Sequence, residues 1–530
     1  MKKVVPSYGG GTSKQVLQLK LDSFSQGLNL AANPYQLKDG ETPDCLNVDL
    51  DQLGGIKRRK SMAVASGTAP TGDFDGVFTY TQSSGSQAVL FGLRSGVNTK
   101  LRRVSAPTTD ITTVTAAQLR SITMNSLCYI AAGHTSPTLK YDGASVTTLG
   151  DAKVDDPAAY TNGNFPRGKL MATFQGSAWS ANILESSVAY PCKIRWSWPN
   201  EPENWPTWAT ETYDNGEDSD EITALQPHNE RLLVFKRNAL YAIQGQGPTG
   251  FRKVTVSSTI GAISQEAVCK TDTDVYFFSW PDGLYRIGAA GVPQPVFDRL
   301  RPILTDGSIP QSAKDKITVS WVNRRVWVSV PWTAGPEGAN RNGRTFCYDP
   351  ALDGWTAHDY GMNQATVVIP SNQDVYAIAP VTHPSIVGSH TLAKMEQAGD
   401  TDLAGGYPIY GRYQSSWLDA GDPMLPKRWR KVGMILSNTA LLTAETRFDF
   451  SNAANGTFTV APIPVVGGAW NQNWGAFSWT ADLGSNSQRI NQGRSAGKGR
   501  AISVVIRNSN TGNWQMSSMT VKYLTRRRRD

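Results

Sequence analysis

An all-β chain is the fold class this sequence predicts: a β-propeller of six or seven blades, with a β-sandwich platform domain built from the N- and C-terminal segments. Three observations predict it. Short apolar segments separated by turn residues fill the middle of the chain, they recur in groups, and longer alternating segments are confined to the ends. Composition agrees. The 530 residues are 39% hydrophobic and only 18% charged, with 49 Gly, 30 Pro and 16 Trp, a balance rich in turns and aromatics that favours strands over helices. That length exceeds one ordinary domain.

The first group of strands is Val77–Tyr80, Ala88–Phe91 and Leu101–Val104. The next is Leu127–Ala131 and Leu139–Tyr141, closed by the tight-turn pair Asp142-Gly143. Leu170–Phe174 and Lys193–Ser197 make a third. Ile222–Leu225, Arg231–Phe235 and Ala239–Ile243 follow, then Val268–Lys270, Asp274–Phe278 and Gly283–Ile287. The series ends with Ile317–Ser320, Val326–Val330 and Thr345–Asp349 with Gly354-Trp355, and then Ala365–Ile369, Asp374–Ile378 and Thr391–Lys394. A recurrence of roughly 40 to 50 residues, three or four strands at a time, is the pattern of propeller blades. One such sheet cannot cover its own apolar faces, so neighbouring sheets must protect each other around an axis. A set of β-sandwiches with similar spacing is the competing architecture. The expected boundaries are 1–70 for an N-terminal segment joining the platform, 71–399 for the propeller, and 400–530 for the C-terminal sandwich with its basic tail. In that last part Lys431–Leu436, Thr446–Phe450, Ala501–Ile506 and Met519–Tyr523 alternate as half-buried strands do.

No apolar run reaches transmembrane length, and the N-terminus lacks the apolar core of a secretory signal, so a soluble protein made in the cytoplasm is expected, without membrane contact. Cys45, Cys128, Cys192, Cys269 and Cys347 lie far apart, and the nearest histidines, His383 and His390, have no Cys or carboxylate cluster beside them. No metal site, disulfide framework or cofactor is therefore expected. Nucleophile elbows, zinc-protease helices, phosphate loops and dinucleotide fingerprints are missing too, and no catalytic residue is expected.

Charge is unevenly distributed. Residues 401–530 hold 16 Lys+Arg against 7 Asp+Glu, so they carry +9 while the other 400 residues sum to −1. The basic residues concentrate at Lys427, Arg428, Arg430 and Lys431, at Arg494, Lys498 and Arg500 interleaved with glycine, and at Arg526, Arg527, Arg528 and Arg529. A fourth run, Lys57, Arg58, Arg59 and Lys60, follows Gly54-Gly55. Such runs suit an acidic protein surface or phosphate, or are simply solvated. No sequence-specific nucleic-acid motif accompanies them. Two further clusters need reading. Trp196, Trp198, Trp205 and Trp208 among Pro199, Pro202 and Pro206 either pack a long loop or form a sugar-stacking platform. Asp214, Glu217, Asp218, Asp220 and Glu221 around Gly216 form an acidic loop, either solvated or a calcium site, although the spacing is not that of an EF-hand.

The N-terminal stretch reads Gly27-Leu28-Asn29, Asn33-Pro34-Tyr35-Gln36-Leu37, Asp39-Gly40-Glu41, Asn47-Val48 and Gly54-Gly55-Ile56-Lys57-Arg58-Arg59. Later come Ile194–Ser197, Glu203-Asn204-Trp205, Leu232–Lys236, Tyr241–Gly245, Ile260–Ala262 and Asp282–Tyr285. This pattern resembles the nozzle, tail tubular protein B-like and packaged-DNA-stabilisation family of short-tailed bacteriophages, over residues 25–290 above all. The resemblance implies a propeller with a platform domain and a homo-hexameric ring below head–tail adaptor proteins. It further implies tail fibre or spike neighbours, double-stranded DNA passing along the ring axis, and a place in the virion tail. It carries over no catalytic residue. The chain is shorter than the large members, which puts a receptor-contacting tip in doubt. A freely sliding genome needs a bore that is not sticky, so the C-terminal basic residues are expected to face neighbouring proteins. The alternative function is a carbohydrate-binding or -cleaving tail protein using the Trp-rich loop.

Overall fold

The computed structural model describes residues 16–65, 71–115, 117–151, 163–213, 220–247, 249–333, 342–362, 364–367, 374–380, 390–399, 401–402, 407–438, 440–451, 453–460, 489–508 and 511–525. Among these the chain is strand and turn almost throughout, broken by two short 3-10 stretches, Asp298–Leu304 and Gln311–Lys316. It divides into two compact units. One is Ala63–Thr345 with Tyr360–Met395; the other is Met1–Met62 with Phe346–Asp359 and Glu396–Asp530.

The larger unit is a seven-bladed propeller. Its innermost strands are Phe74–Thr81, Arg120–Met124, Arg167–Phe174, Ile222–His228, Val268–Lys270, Thr318–Val322 and Gln364–Val367. They neighbour one another in that order, and the seventh returns to the first. The first five each open a four-stranded antiparallel sheet. In the seventh blade the outer edge of His390–Gln397 is taken by Thr71–Gly72 and by the strand Ser61–Val64, and the Ala65 amide donates to the Leu392 carbonyl at 3.0 Å. Chain that precedes the first blade thus closes the last, which removes the free edge an open sheet would expose.

Local chemistry explains why these segments fold as blades. Asn125 and Ser126, Asn229 and Glu230, and Asn323 and Arg324 all have φ between 44° and 61°, the geometry of two-residue hairpin turns that match strand twist. At Asp142-Gly143 the carboxylate accepts from the Ala144 and Ser145 amides at 2.7 Å, and glycine supplies φ +103°. Apolar residues from adjacent blades fill the gaps between them. Leu90, Leu101, Ile130 and Tyr141 join blades one and two, and Leu233, Phe235, Val275 and Phe277 join blades four and five. All five cysteines are free and buried here or in the other unit, and burial pushes the Cys128 and Cys269 thiols up to about 12.

The second unit is a two-sheet sandwich. One sheet orders Arg489–Gly499, Lys427–Asn438, Trp514–Thr525, Ile56–Arg58 and Val48–Leu50, with Leu17–Leu21 also paired to Trp514–Thr525. The other runs Gly354–His358, Asp44–Leu46, Arg412–Gln414, Ile502–Asn508, Leu442–Phe448 and Gly456–Val460. The sheets meet closely. A Cβ on Gly497 would stand 2.0 Å from the Phe448 ring, so glycine there makes room for an aromatic of the opposite sheet. Gly27, at φ +64°, lies so close to the Trp355 backbone that no side chain fits.

The observed unit differs from the expected 71–399 in beginning at Ala63, ending at Met395 and leaving out Phe346–Asp359. Phe346–Asp359 lies inside that range in sequence but belongs to the sandwich, because Gly354–His358 pairs in parallel with Asp44–Leu46 at Ala357 and Leu46, and with Gly27 at Trp355.

Candidate anion-contact surface

The four basic runs separate into buried and exposed members. Of the first run, Lys57 and Lys60 are exposed, whereas Arg58 and Arg59 are only 4% and 1% exposed. Arg59 donates to the Asp402 carboxylate at 2.5 and 3.0 Å, to Asp359 at 3.2 Å and to the Asn47 side-chain oxygen at 2.8 Å. Arg58 donates to the Asn513 side chain at 2.9 Å and to the Gly399 carbonyl at 2.6 Å. These two arginines are therefore internal ties of the sandwich and not surface contacts, a correction to the expectation. Their planar guanidinium forks suit such multiple bonding.

The second run lies on the strand Lys427–Asn438. Lys427 is 2% exposed, and its ammonium donates to the carbonyls of Asp422, Leu425 (3.0 Å) and Arg500 (3.3 Å), while burial pushes its pKa down against the pull of Asp422, Asp419 and Asp449. It too leaves the surface set. Arg428, Arg430 and Lys431 are exposed, alternating with buried Trp429 and Val432. Normal alternation would turn Lys431 inward; a register shift between Trp429 and Lys431 puts two successive cations outside. Of the third run, Lys498 and Arg500 are exposed, and Arg494 stands opposite Lys431 in the ladder. Arg526, Arg527, Arg528 and Arg529 lie outside the described residues.

The register adds two cations that sequence reading missed. Lys431 is opposite Lys522, and Lys20 is opposite Thr520, which is opposite Gly433. Lys20, Lys431, Lys522, Thr520 and Gln18 surround Gly433 in a depression of about 270 Å³. Lys20 pairs with Asp22 at 2.7 Å; Lys431 and Lys522 have no ion pair among the described residues. The alternation in Met519–Tyr523 marks Lys522 as outward, but nothing local tells that residues 17–21 and 519–523 are neighbours.

The Trp cluster serves mainly as core. Trp205 is fully buried, Trp196 is 7% exposed and stacks on Trp179 at 4.9 Å, and only Trp208, at 42%, presents a ring to solvent, edge-on to half-buried Trp198 at 5.6 Å. Of the acidic loop, 214–219 lies outside the described residues. Asp220 accepts from the Asn238 amide at 2.9 Å. Glu221 takes Asn182 at 2.9 Å, Lys169 at 3.3 Å and Arg237 at 3.4 Å. Burial raises its pKa, but these donors hold it below the usual carboxylate range. No metal-holding group of His, Cys and carboxylates occurs among the described residues.

One constellation has the residue types of a nucleophile, base and orienting acid. Cys347 Sγ lies 3.5 Å from Nδ1 and 3.9 Å from Nε2 of His358, and that Nε2 lies 3.2 Å from Asp49. A sulfur nearly equidistant from both ring nitrogens sits beside the ring and off the Nδ1 lone-pair line, so it is not aligned for proton transfer. All three side chains are buried, with His358 fully enclosed. The group is a polar knot of the sandwich core. Across the propeller, Arg120 of blade two grips Glu266, just before blade five, at 2.8 and 3.0 Å. Those blades stand opposite each other in a seven-membered ring, so the ion pair crosses the axis.

No family model and no curated protein sequence matches the chain. Among solved structures, BBS1N in complex with ARL6DN is 11% identical, covering 64% of this chain and 98% of its own, at a TM-score of 0.38. YCF48 bound to D1 peptide is 10% identical, covering 67% and 100%, at 0.35. An exo-β-1,3-galactanase from Phanerochaete chrysosporium with galactose is 9% identical, covering 86% and 100%, at 0.26. Seven antiparallel sheets arranged around an axis make the larger unit of this chain a β-propeller.

Proposed function

We propose that the chain is a non-enzymatic structural protein of a short bacteriophage tail. Six copies form the nozzle ring below the head–tail adaptor, which holds the packaged genome and guides its exit. The observation that carries this reading is the Gly27–Arg59 pattern, several positions of which have framework work in the sandwich. Asn29 bonds Glu41 at 3.0 Å, Asn47 bonds Arg59, and Gly27 admits Trp355. The axial Arg120–Glu266 pair fits the reading: DNA would pass between copies, along the axis of the ring, and not through a single propeller. The test is the mass and the projection image of the purified native particle. Six copies per ring and sixfold symmetry on the tail are the expected result; a monomer or trimer sinks the proposal. Charge reversal across Arg526–Arg529 is expected to lower ring yield.

Exposed Trp208 favours one second reading, a carbohydrate-binding or -cleaving tail protein. It predicts glycan retention that Trp208→Ala abolishes, and blank glycan-array and depolymerase assays remove it.

A further inference from the structure

We propose that the solvent face of the sheet containing Leu17–Leu21, Trp514–Thr525 and Lys427–Asn438 binds the phosphates of a nucleic-acid backbone, one of them seated over Gly433. The inference goes beyond the nozzle reading and stands or falls apart from it.

Sheet stability does not explain the arrangement. Lys431 and Lys522 are directly opposite in an antiparallel pair, where like charges destabilise. No described carboxylate neutralises either of them, and Asp22, at the rim, is already held by Lys20. Four lysines of the propeller are placed differently: Lys100, Lys140, Lys169 and Lys193 each meet a carboxylate within 3.3 Å. The surplus continues along the strands through Arg428, opposite Lys498, and through Arg430.

The shape suits an anion. Gly433 contributes no side chain, which leaves a depression of about 270 Å³ lined by Lys20, Lys431, Lys522, Thr520 and Gln18 together with Met434 and Ile435. An ammonium meets phosphate as a compact point charge with three donors. The same face is poorly made for a protein partner. Protein interfaces are depleted in lysine and organised around buried aromatic or aliphatic anchors, and here three lysines line the depression with half-buried Ile435 and buried Met434 as the apolar neighbours. No aromatic of the depression is available to stack on a base, so binding is through the backbone and indifferent to sequence.

The test uses the full chain, a random-sequence DNA duplex and a salt titration. Each phosphate contact contributes about −0.9 to the slope of log K against log salt, so Lys431→Gln with Lys522→Gln is expected to make the slope shallower by about 2. Arg252→Gln with Lys270→Gln removes the same charge from exposed propeller positions and is expected to leave the slope unchanged. Inorganic phosphate at constant ionic strength is expected to displace the duplex from the wild type. Because the substitutions remove two facing like charges, the double variant should melt no lower than the wild type, which confirms that it is folded. Equal slopes in both variants overturn the proposal. So does failure of phosphate to compete, or poly-glutamate binding as tightly as duplex with the same sensitivity to Lys431 and Lys522.

Discussion

At the scale of single residues, a basic side chain's neighbours decide its role, and its place in a charge run does not. Lys57-Arg58-Arg59-Lys60 is uniform as sequence, yet the two arginines are buried ties and the two lysines are solvated. Asp402→Ala would leave the Arg59 guanidinium buried with part of its charge unmatched, and is expected to cost about 3–5 kcal/mol, read as a lower denaturant midpoint. An unchanged midpoint would show that Asp359 and Asn47 suffice. Lys427 holds three carbonyls from the loop and strand around it, so Lys427→Met is expected to cost about 1–3 kcal/mol by leaving them unpaired. The role of Arg59 is not legible in the sequence, because its carboxylate partners Asp359 and Asp402 lie 300 and 343 residues away. Legible instead are the local signals, such as Asp142-Gly143, whose chemistry is complete within four residues.

At the scale of elements, the glycines of Arg489–Gly499 show how a correct pattern can be misread. Their alternation with Arg494, Lys498 and Arg500 suits contact with phosphate or an acidic protein surface, but Gly497 is small to admit Phe448. Gly497→Ala is expected to cost about 1–3 kcal/mol through overpacking, and Phe448→Leu in the same chain should recover part of it beyond additivity in a double-mutant cycle. In the propeller, Glu221 links blade three to blade four through Lys169, Asn182 and Arg237. Its folded pKa lies below the ordinary value, so its contribution is present above the unfolded value of about 4.3 and lost as pH falls through the folded one. Glu221→Gln should flatten the acid limb of a stability-against-pH curve; an identical limb would assign the acid sensitivity elsewhere. Blade strands were readable because each hairpin is sequence-local and marked by turn residues. The strand Gly354–His358 was not, since its apolar pattern is equally compatible with the blade it follows and the sandwich it joins.

At the scale of the whole molecule, the propeller is a closed ring with an ion pair across its axis. Glu266→Ala leaves Arg120 unpaired there and is expected to cost about 1–3 kcal/mol, seen as earlier thermal unfolding, without altering the mass of the assembly. The number of blades could not be read from recurrence alone, because the seventh blade borrows its outer edge from chain that precedes the first. The sandwich is less local still, for Leu17–Leu21 pairs with Met519–Tyr523. This pairing has a consequence for biosynthesis. A ribosome adding about 5–20 residues per second delivers every blade before it delivers the partner of that first strand. The propeller can then close while the N-terminal strand still waits, for tens of seconds, with its hydrogen bonds unmade. Translation thus imposes an order, ring first and sandwich last, and a chain released before Met519 would carry a finished propeller beside a strand open to pairing with another copy.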